Sequence, residues 1–278
     1  MIETRFVDVG TDGPRPARLA VHLAGEGPLA VLLHGFPLDH RMWLGVMQGP
    51  LRSKRRLCAI DLRGHGQSPW RGDAAHPMEL LAADVVDVVR ALEDEPVDLC
   101  GLSMGGYVAL ALLAEHPARV RSLVLTNTRP SADTDAQRSG RAASIELAAR
   151  DGRAAVAQAM LPKLTSAAVD PLHAAQLRTM IEATPTETVV ADQRGMLQRP
   201  CRSEVLRSSP APTLVVTGDE DALTPMGETV AWCEELLGRR PVVIAGTGHM
   251  SPLEAPDAWS EVVGEFWKLR SATPREAT

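Results

Sequence analysis

VDLCGLSMGG, residues 97–106, joins a short apolar run directly to MGGYVALALLAE (104–115), a stretch apolar on every side. The first part reads as a buried strand and the second as a buried helix, so Ser103 stands at the apex of a strand–helix turn. A turn that sharp strains the backbone of its central residue and tolerates only small neighbours, and Gly101, Gly105 and Gly106 supply them. Such a turn lifts a hydroxyl above the sheet, while the helix behind it directs N-terminal amides toward any developing anion. The pattern Gly101-Leu102-Ser103-Met104-Gly105 therefore marks Ser103 as a candidate nucleophile.

The same grammar repeats on both sides. PLAVLLHG (28–35), RRLCAIDLRGHG (55–66) and VRSLVLTN (120–127) are apolar runs, as are PTLVVTGDED (212–221) and RRPVVIAGTGH (239–249). Between them lie helical patterns, notably 77–94, where Met78, Leu81, Val85, Val88 and Leu92 recur at helical steps, and a last helix near 256–269. Strands alternating with helices predict an α/β fold around a mostly parallel sheet. Segments 3–9 and 17–23 read as an antiparallel hairpin leading into it. Residues 131 to about 208 interrupt the alternation: they lack a β-rich run and carry Pro162, Pro171, Pro185 and Pro200, which predicts about four short helices. An all-helical insert between two strands has the form of a lid. The tail SATPREAT should fray.

Composition narrows the function classes. With 278 residues the chain can bury a core and still hold a pocket, and a net charge of −6 argues against a nucleic-acid footprint. No apolar run approaches the ~18 residues a membrane span needs. The opening MIETRFVDVG lacks the order of a secretory signal, so a cytoplasmic location is expected. Cys58, Cys100, Cys201 and Cys233 are too scattered for a zinc ribbon or disulfide scaffold, and Cys100 reads as a small buried hydrophobe.

A serine is a weak nucleophile without a base oriented by a third group. His249 follows VVIA in a glycine-bounded loop, and Asp219 and Asp221 share the loop after TLVVTG. In a parallel sheet all these lie at the carboxyl ends of strands, where sites in open α/β sheets form. Either aspartate could serve as the orienting acid.

Taken together, the chain resembles the α/β-hydrolase superfamily, and within it the branch of bacterial esterases, enol-lactonases and cofactor-free haloperoxidases. The resemblance rests on His34-Gly35-Phe36-Pro37, Asp61-Leu62-Arg63-Gly64-His65-Gly66-Gln67-Ser68, the turn at 101–106, Gly218 through Asp221, and Gly248-His249, in the chain order Ser, Asp, His. It implies an eight-stranded, mostly parallel sheet flanked by helices, with a core of 1–130 and 209–278 and a helical cap at 131–208 inserted after strand 6. It selects Asp221, three residues after Gly218, as the acid. It assigns the oxyanion hole to the backbone N–H groups of Phe36 and Met104, and leaves His34 and the Asp61–Arg63–His65 loop structural. The implied activity is hydrolysis of a carboxylic ester, lactone or related acyl compound through an acyl-enzyme on Ser103, with no metal and no cofactor. Interception of that intermediate by peroxide, C–C bond hydrolysis and acyl transfer would use the same triad, and a non-catalytic binding protein is the reading from another class. Serine at the apex argues against the dehalogenase and epoxide-hydrolase branches, which carry aspartate there. The expected partner is a small-molecule acyl substrate rather than nucleic acid or membrane, and a homo-oligomer is compatible with the sequence. Met160, Leu161, Met180 and Met196 are the expected substrate-binding walls, with Leu147, Leu164, Leu177 and Ile181 as further candidates.

Overall fold

Strands buried on both faces need no polar alternation, and a glycine or proline stops each run, so the apolar segments align as one parallel stack. A computed structural model describes residues 1–11 and 13–271. Its strands are β1 (Glu3–Val9), β2 (Ala17–Ala24), β3 (Leu29–Leu33), β4 (Arg56–Ile60), β5 (Val97–Leu102), β6 (Val120–Thr126), β7 (Thr213–Gly218) and β8 (Val242–Ile244). They form one sheet in the order β1-β2-β4-β3-β5-β6-β7-β8. β2 pairs antiparallel with β1 and β4, and every other pairing is parallel.

The helices are α1 (Leu44–Gln48), α2 (Met78–Leu92), α3 (Met104–Glu115), α4 (Asp135–Leu164), α5 (Pro171–Ala183), α6 (Thr186–Leu197), α7 (Ser203–Ser208), α8 (Met226–Leu237), α9 (Ser251–Glu254) and α10 (Pro256–Ser271). The expected strands, the opening hairpin and the helices at 78–92, 104–115 and the C-terminus are all present. The frayed tail, apart from Ser271, lies outside the described residues.

Strand order decides where a site can open. From β3 the chain crosses to β4 on one side, whereas from β5 it crosses to β6 on the other. The carboxyl ends of β3 and β5 therefore flank a topological switch point, the crevice where open α/β sheets bind ligands. His34-Gly35-Phe36 leaves β3 there and Ser103 leaves β5.

The stretch between β6 and β7 is helical, but its elements are not all short. Thr134 caps α4 reciprocally with Gln137, and its thirty residues comprise two helical segments that meet at a kink at Gly152, whose φ of 75° and ψ of −171° are non-helical. Pro162 lies in the last turn and does not stop the helix before Leu164. Asp170 caps α5 on the Leu172 amide and Pro171 occupies its first position, where a missing N–H costs nothing. The insertion is tied down at several points. The Thr184 hydroxyl donates to Pro37 O (2.9 Å) and the His76 amide to Ala191 O (2.9 Å). A Cβ on Gly195 would lie 1.7 Å from His76 O, so α6 approaches the 76–77 turn as closely as a glycine permits.

Candidate active site

Ser103 holds φ 53° and ψ −114°, a positive φ that non-glycine residues adopt only where the surroundings enforce it. The enforcement is visible. The Ser103 amide donates to Thr126 O (3.1 Å), and its carbonyl accepts from the Gly106 amide (2.9 Å) and the Thr128 hydroxyl (2.8 Å). A Cβ on Gly101 would lie 2.3 Å from Gly105 O, and one on Gly105 would lie 2.3 Å from Leu33 O. Both glycines are thus required by backbone approaching backbone. Cys100, just before the turn, is fully buried in β5, and burial pushes its thiol well above the ordinary range.

His249 follows β8 in a loop that returns over the ends of β6 and β7. Its Nδ1 lies 2.8 Å from Asp221 Oδ2 and 3.0 Å from Oδ1. Asp219, the other acid of that loop, is exposed and accepts instead from the Gly246 amide at 2.7 Å. Asp221 also accepts from the Leu223 amide (2.8 Å), the Thr224 amide (2.9 Å) and the Thr224 hydroxyl. Burial alone would raise this carboxyl. The His249 ring and the Thr224 donors outweigh it, and Asp221 is held well below the usual carboxylate range. With Nδ1–H donated to the carboxylate, Nε2 is the ring nitrogen left to act.

Sequence reasoning missed the residue that ties these loops together. Asn127, fully buried after β6 with φ 46°, donates from Nδ2 to Asp221 Oδ2 (2.8 Å) and Gly248 O (3.4 Å). Its Oδ1 accepts from the Ser251 hydroxyl at 2.6 Å. An asparagine directly after an apolar strand run is the one sequence signal for it, because asparagine tolerates a positive φ.

Ser103, His249 and Phe36 border a single cavity of about 640 Å³ beneath α4. A Cβ on Gly35 would lie 3.4 Å from Ser103 Cβ, which puts the Phe36 amide beside the hydroxyl-bearing residue. Met104, first in α3, has no intrahelical acceptor for its N–H. Among the described residues neither the Phe36 nor the Met104 N–H is taken by a protein acceptor. His34 has a different task. Its Nε2 accepts from the Leu62 amide (3.0 Å), so Nδ1 carries the proton and donates to Gly35 O (3.0 Å). Burial, with His65 nearby, lowers it to about 4, and the ring stays neutral as a bracket for the loop. The Asp61 carboxylate is likewise occupied by the rings of His22 and His40 and the amides of His40 and Gln67. Arg63 is buried in a two-pronged pair with Asp84.

Of the four expected substrate walls, Met160 and Met196 face the cavity and Leu161 and Met180 do not. The reason is helical phase. Val156, Ala159, Met160, Lys163 and Leu164 share the cavity face of α4, and Leu161, one residue past Met160, points about 100° away. Met180 belongs with Leu177 and Ile181 to the fully buried stripe that seats α5 on the rest of the molecule, and none of the three reaches the cavity. Leu147 and Leu164 do line it. So do Tyr107, Arg129, Asp133, Arg141 and Gln193, none of which was anticipated.

The family model described as the alpha/beta hydrolase fold matches residues 28–256. The chain belongs to that family. It is an α/β-fold hydrolase, and its relatives carry hydrolase names. It is 28% identical to a pimeloyl-(acyl-carrier protein) methyl ester esterase of Aeromonas hydrophila, over 89% of this chain and 98% of that one. It is 26% identical to 3-oxoadipate enol-lactonase 1 of Acinetobacter baylyi, over 90% and 93%. Among solved structures, a malate-bound thermophilic esterase from Thermogutta terrifontis superposes with a TM-score of 0.90 at 31% identity, covering 96% of this chain and 99% of that one. No helix among the described residues is long and apolar enough to cross a membrane.

Proposed function

We propose that this α/β-fold hydrolase cleaves carboxylic esters or lactones, with Ser103 as nucleophile, His249 as general base and acid, and Asp221 as the group that fixes the imidazole. The observation that carries this reading is the convergence of a serine strained on a strand–helix turn and a histidine anchored on a buried carboxylate at one cavity. Esterase and enol-lactonase relatives spanning nearly the whole chain add support. Ser103 Oγ attacks the carbonyl carbon while His249 Nε2 takes its proton, and the Asp221 carboxylate stabilises the resulting imidazolium. The negative oxygen of the tetrahedral intermediate accepts from the Phe36 and Met104 amides. Collapse expels the alcohol, protonated by His249, and leaves an ester on Ser103. Water, deprotonated by the same imidazole, then releases the acid.

In this reading residues 1–130 and 209–278 form the catalytic core. Residues 131–208 form a cap that covers Ser103, excludes water and sets substrate shape through Met160 and Met196. The test is labelling by a fluorophosphonate probe together with turnover of an ester and lactone panel. Wild type should label and turn over, and folded Ser103→Ala should do neither. Near-wild-type ester turnover by folded Ser103→Ala would end the assignment.

A further inference from the structure

The chain carries a net charge of −6, yet the cavity wall is cationic: its ionisable side chains beyond His249 are Arg129, Arg141, Arg150 and Lys163 against Asp133 and Glu146. Two of the cations are answered at the surface. Arg129 pairs with Glu228 at 3.5 Å and Arg150 with Asp151 at 2.7 Å, and both acids are exposed to solvent. Lys163 and Glu146 are exposed. The buried part of the wall is different.

There Asp133 is shared by two guanidinium groups, Arg141 (Nε to Oδ2, 2.5 Å) and Arg199 (Nη2 to Oδ1, 2.6 Å), with side-chain exposures of 2%, 17% and 4%. Their remaining partners are neutral. Arg141 donates to Gln193 Oε1 and reaches Met196 Sδ, both at 3.1 Å, while Arg199 donates to Ser131 O and lies over the Tyr107 ring at 3.9 Å. Among the described residues no second carboxylate pairs with either arginine. One carboxylate between the buried Arg199 and the partly buried Arg141 leaves one positive charge uncompensated, a costly arrangement unless something else supplies the anion. Arg141, Asp133, Gln193 and Met196 all face the cavity that holds Ser103.

We infer that this cavity selects acyl substrates bearing a second, anionic group, a carboxylate remote from the scissile carbonyl that completes the charge of the Arg141–Asp133–Arg199 cluster. The inference rests on the ester or lactone reading of the same site. With the carbonyl at Ser103 and the carboxylate at Arg141, both ends of the substrate are fixed, and a volume of about 640 Å³ accommodates a small dicarboxylic half-ester. Asp133 does not outweigh the attraction, because the two arginines that hold its oxygens leave the cluster net positive. The insertion thereby contributes the charge selection and the sheet contributes the nucleophile.

The test compares kcat/KM for methyl half-esters of dicarboxylic acids with methyl esters of monocarboxylic acids of equal length. Wild type should favour the charged substrate by about tenfold or more, the size of a charge-assisted pair formed only with the anion. That ratio should fall severalfold in Arg141→Gln and with added salt. A second arm is binding to wild-type protein, by calorimetry, of the uncleavable dicarboxylate against the monocarboxylate of equal length. This arm decides alone if Arg141→Gln does not fold. Equal or weaker turnover and binding of the charged compounds, or a preference unchanged in folded Arg141→Gln, would overturn the inference. If wild type neither cleaves any ester nor labels with fluorophosphonate, the hydrolase reading fails, and the dicarboxylate binding arm still decides the charge selection.

Discussion

If Asp221 orients His249 as proposed, Asn127→Gly isolates what the buried Asn127 amide contributes to catalysis. Glycine keeps the backbone at φ 46° without strain, so the substitution removes only the side chain and its three hydrogen bonds. In that mechanism the bond that matters for rate is Nδ2 to Asp221 Oδ2 at 2.8 Å. A hydrogen bond to a charged group is worth about 1.5–3 kcal/mol, equivalent to roughly 10- to 150-fold in rate if fully expressed in the transition state. Asp221 retains His249, the two amides of Leu223 and Thr224 and the Thr224 hydroxyl, so the carboxylate is loosened rather than released. The expected loss is therefore near the lower bound, about tenfold in kcat/KM. It should fall on kcat, because Asn127 does not border the cavity. Asn127→Asp should cost more, since it sets a second buried carboxylate against Asp221. The assay is steady-state hydrolysis of a chromogenic ester, paired with the rate of fluorophosphonate labelling and with thermal unfolding. A folded Asn127→Gly protein within twofold of wild type in kcat and labelling rate would refute the positioning argument, as would a loss confined to KM.

Asp221→Asn should lower kcat strongly, by about 10⁴-fold if it acts as the corresponding substitution does in serine proteases. Asp219→Asn should leave the rate within a fewfold, and the reverse ranking would transfer the orienting role to Asp219. Asp192, buried on α6, holds His76 (Nδ1 to Oδ1, 2.7 Å), and His65 lies 3.0 Å from its other oxygen, off the hydrogen-bonding axis. Burial raises this carboxyl, but the two rings outweigh it and bring it down to about 2, so its contribution is present above the ordinary 3.8 and is lost as pH falls through about 2. Burial lowers His65, but Asp192 outweighs it and raises the ring above its ordinary 6.5, so that contribution is full below 6.5 and is lost as pH rises through the raised value. Asp192→Asn should then destabilise by on the order of 3 kcal/mol near pH 5.5 and by less at pH 8.5, in denaturant titrations at both pH values. An equal loss at the two pH values would refute the charge coupling.

How legible each part of the molecule was follows from how tightly geometry constrains its residues. The inner strands β3 to β7 were readable because burial on both faces favours apolar side chains, and the turn at Ser103 because a Cβ at 101 or 105 would lie 2.3 Å from a backbone oxygen, which admits only glycine. Helix lengths in the insertion were not readable from its prolines. Pro162 sits in the last turn of α4, where the helix is about to end anyway, and the bend falls at Gly152, a residue with open space around it and no packing signature. The sequence pattern also could not separate Met160 from Met180. Both are methionines on helices with apolar neighbours, and only the phase of each helix against its partners turns one to the cavity and the other to the core.

The missed residues share a physical cause. Apolar periodicity, the signal a helix face leaves in a sequence, points only to apolar pocket walls, yet the cavity face of α4 also bears Gln137, Arg141, Ser144 and Lys163. Read as a pattern, those polar residues mark a solvated face, and a solvated face is also what a helix presents when it lines a cavity rather than a core. The charge balance carries the distinction that periodicity lacks. A surface arginine finds its acid in solvent-exposed neighbours, as Arg150 does with Asp151, whereas Arg141 and Arg199 share one buried carboxylate across 66 residues of chain, from Asp133 to Arg199. No local spacing rule reports such a pairing, because it exists only once α4 and the segment after α6 close on each other. The candidate nucleophile could be read from ten consecutive residues. The charge proposed for its substrate becomes visible only where the fold sets two arginines on one buried carboxylate.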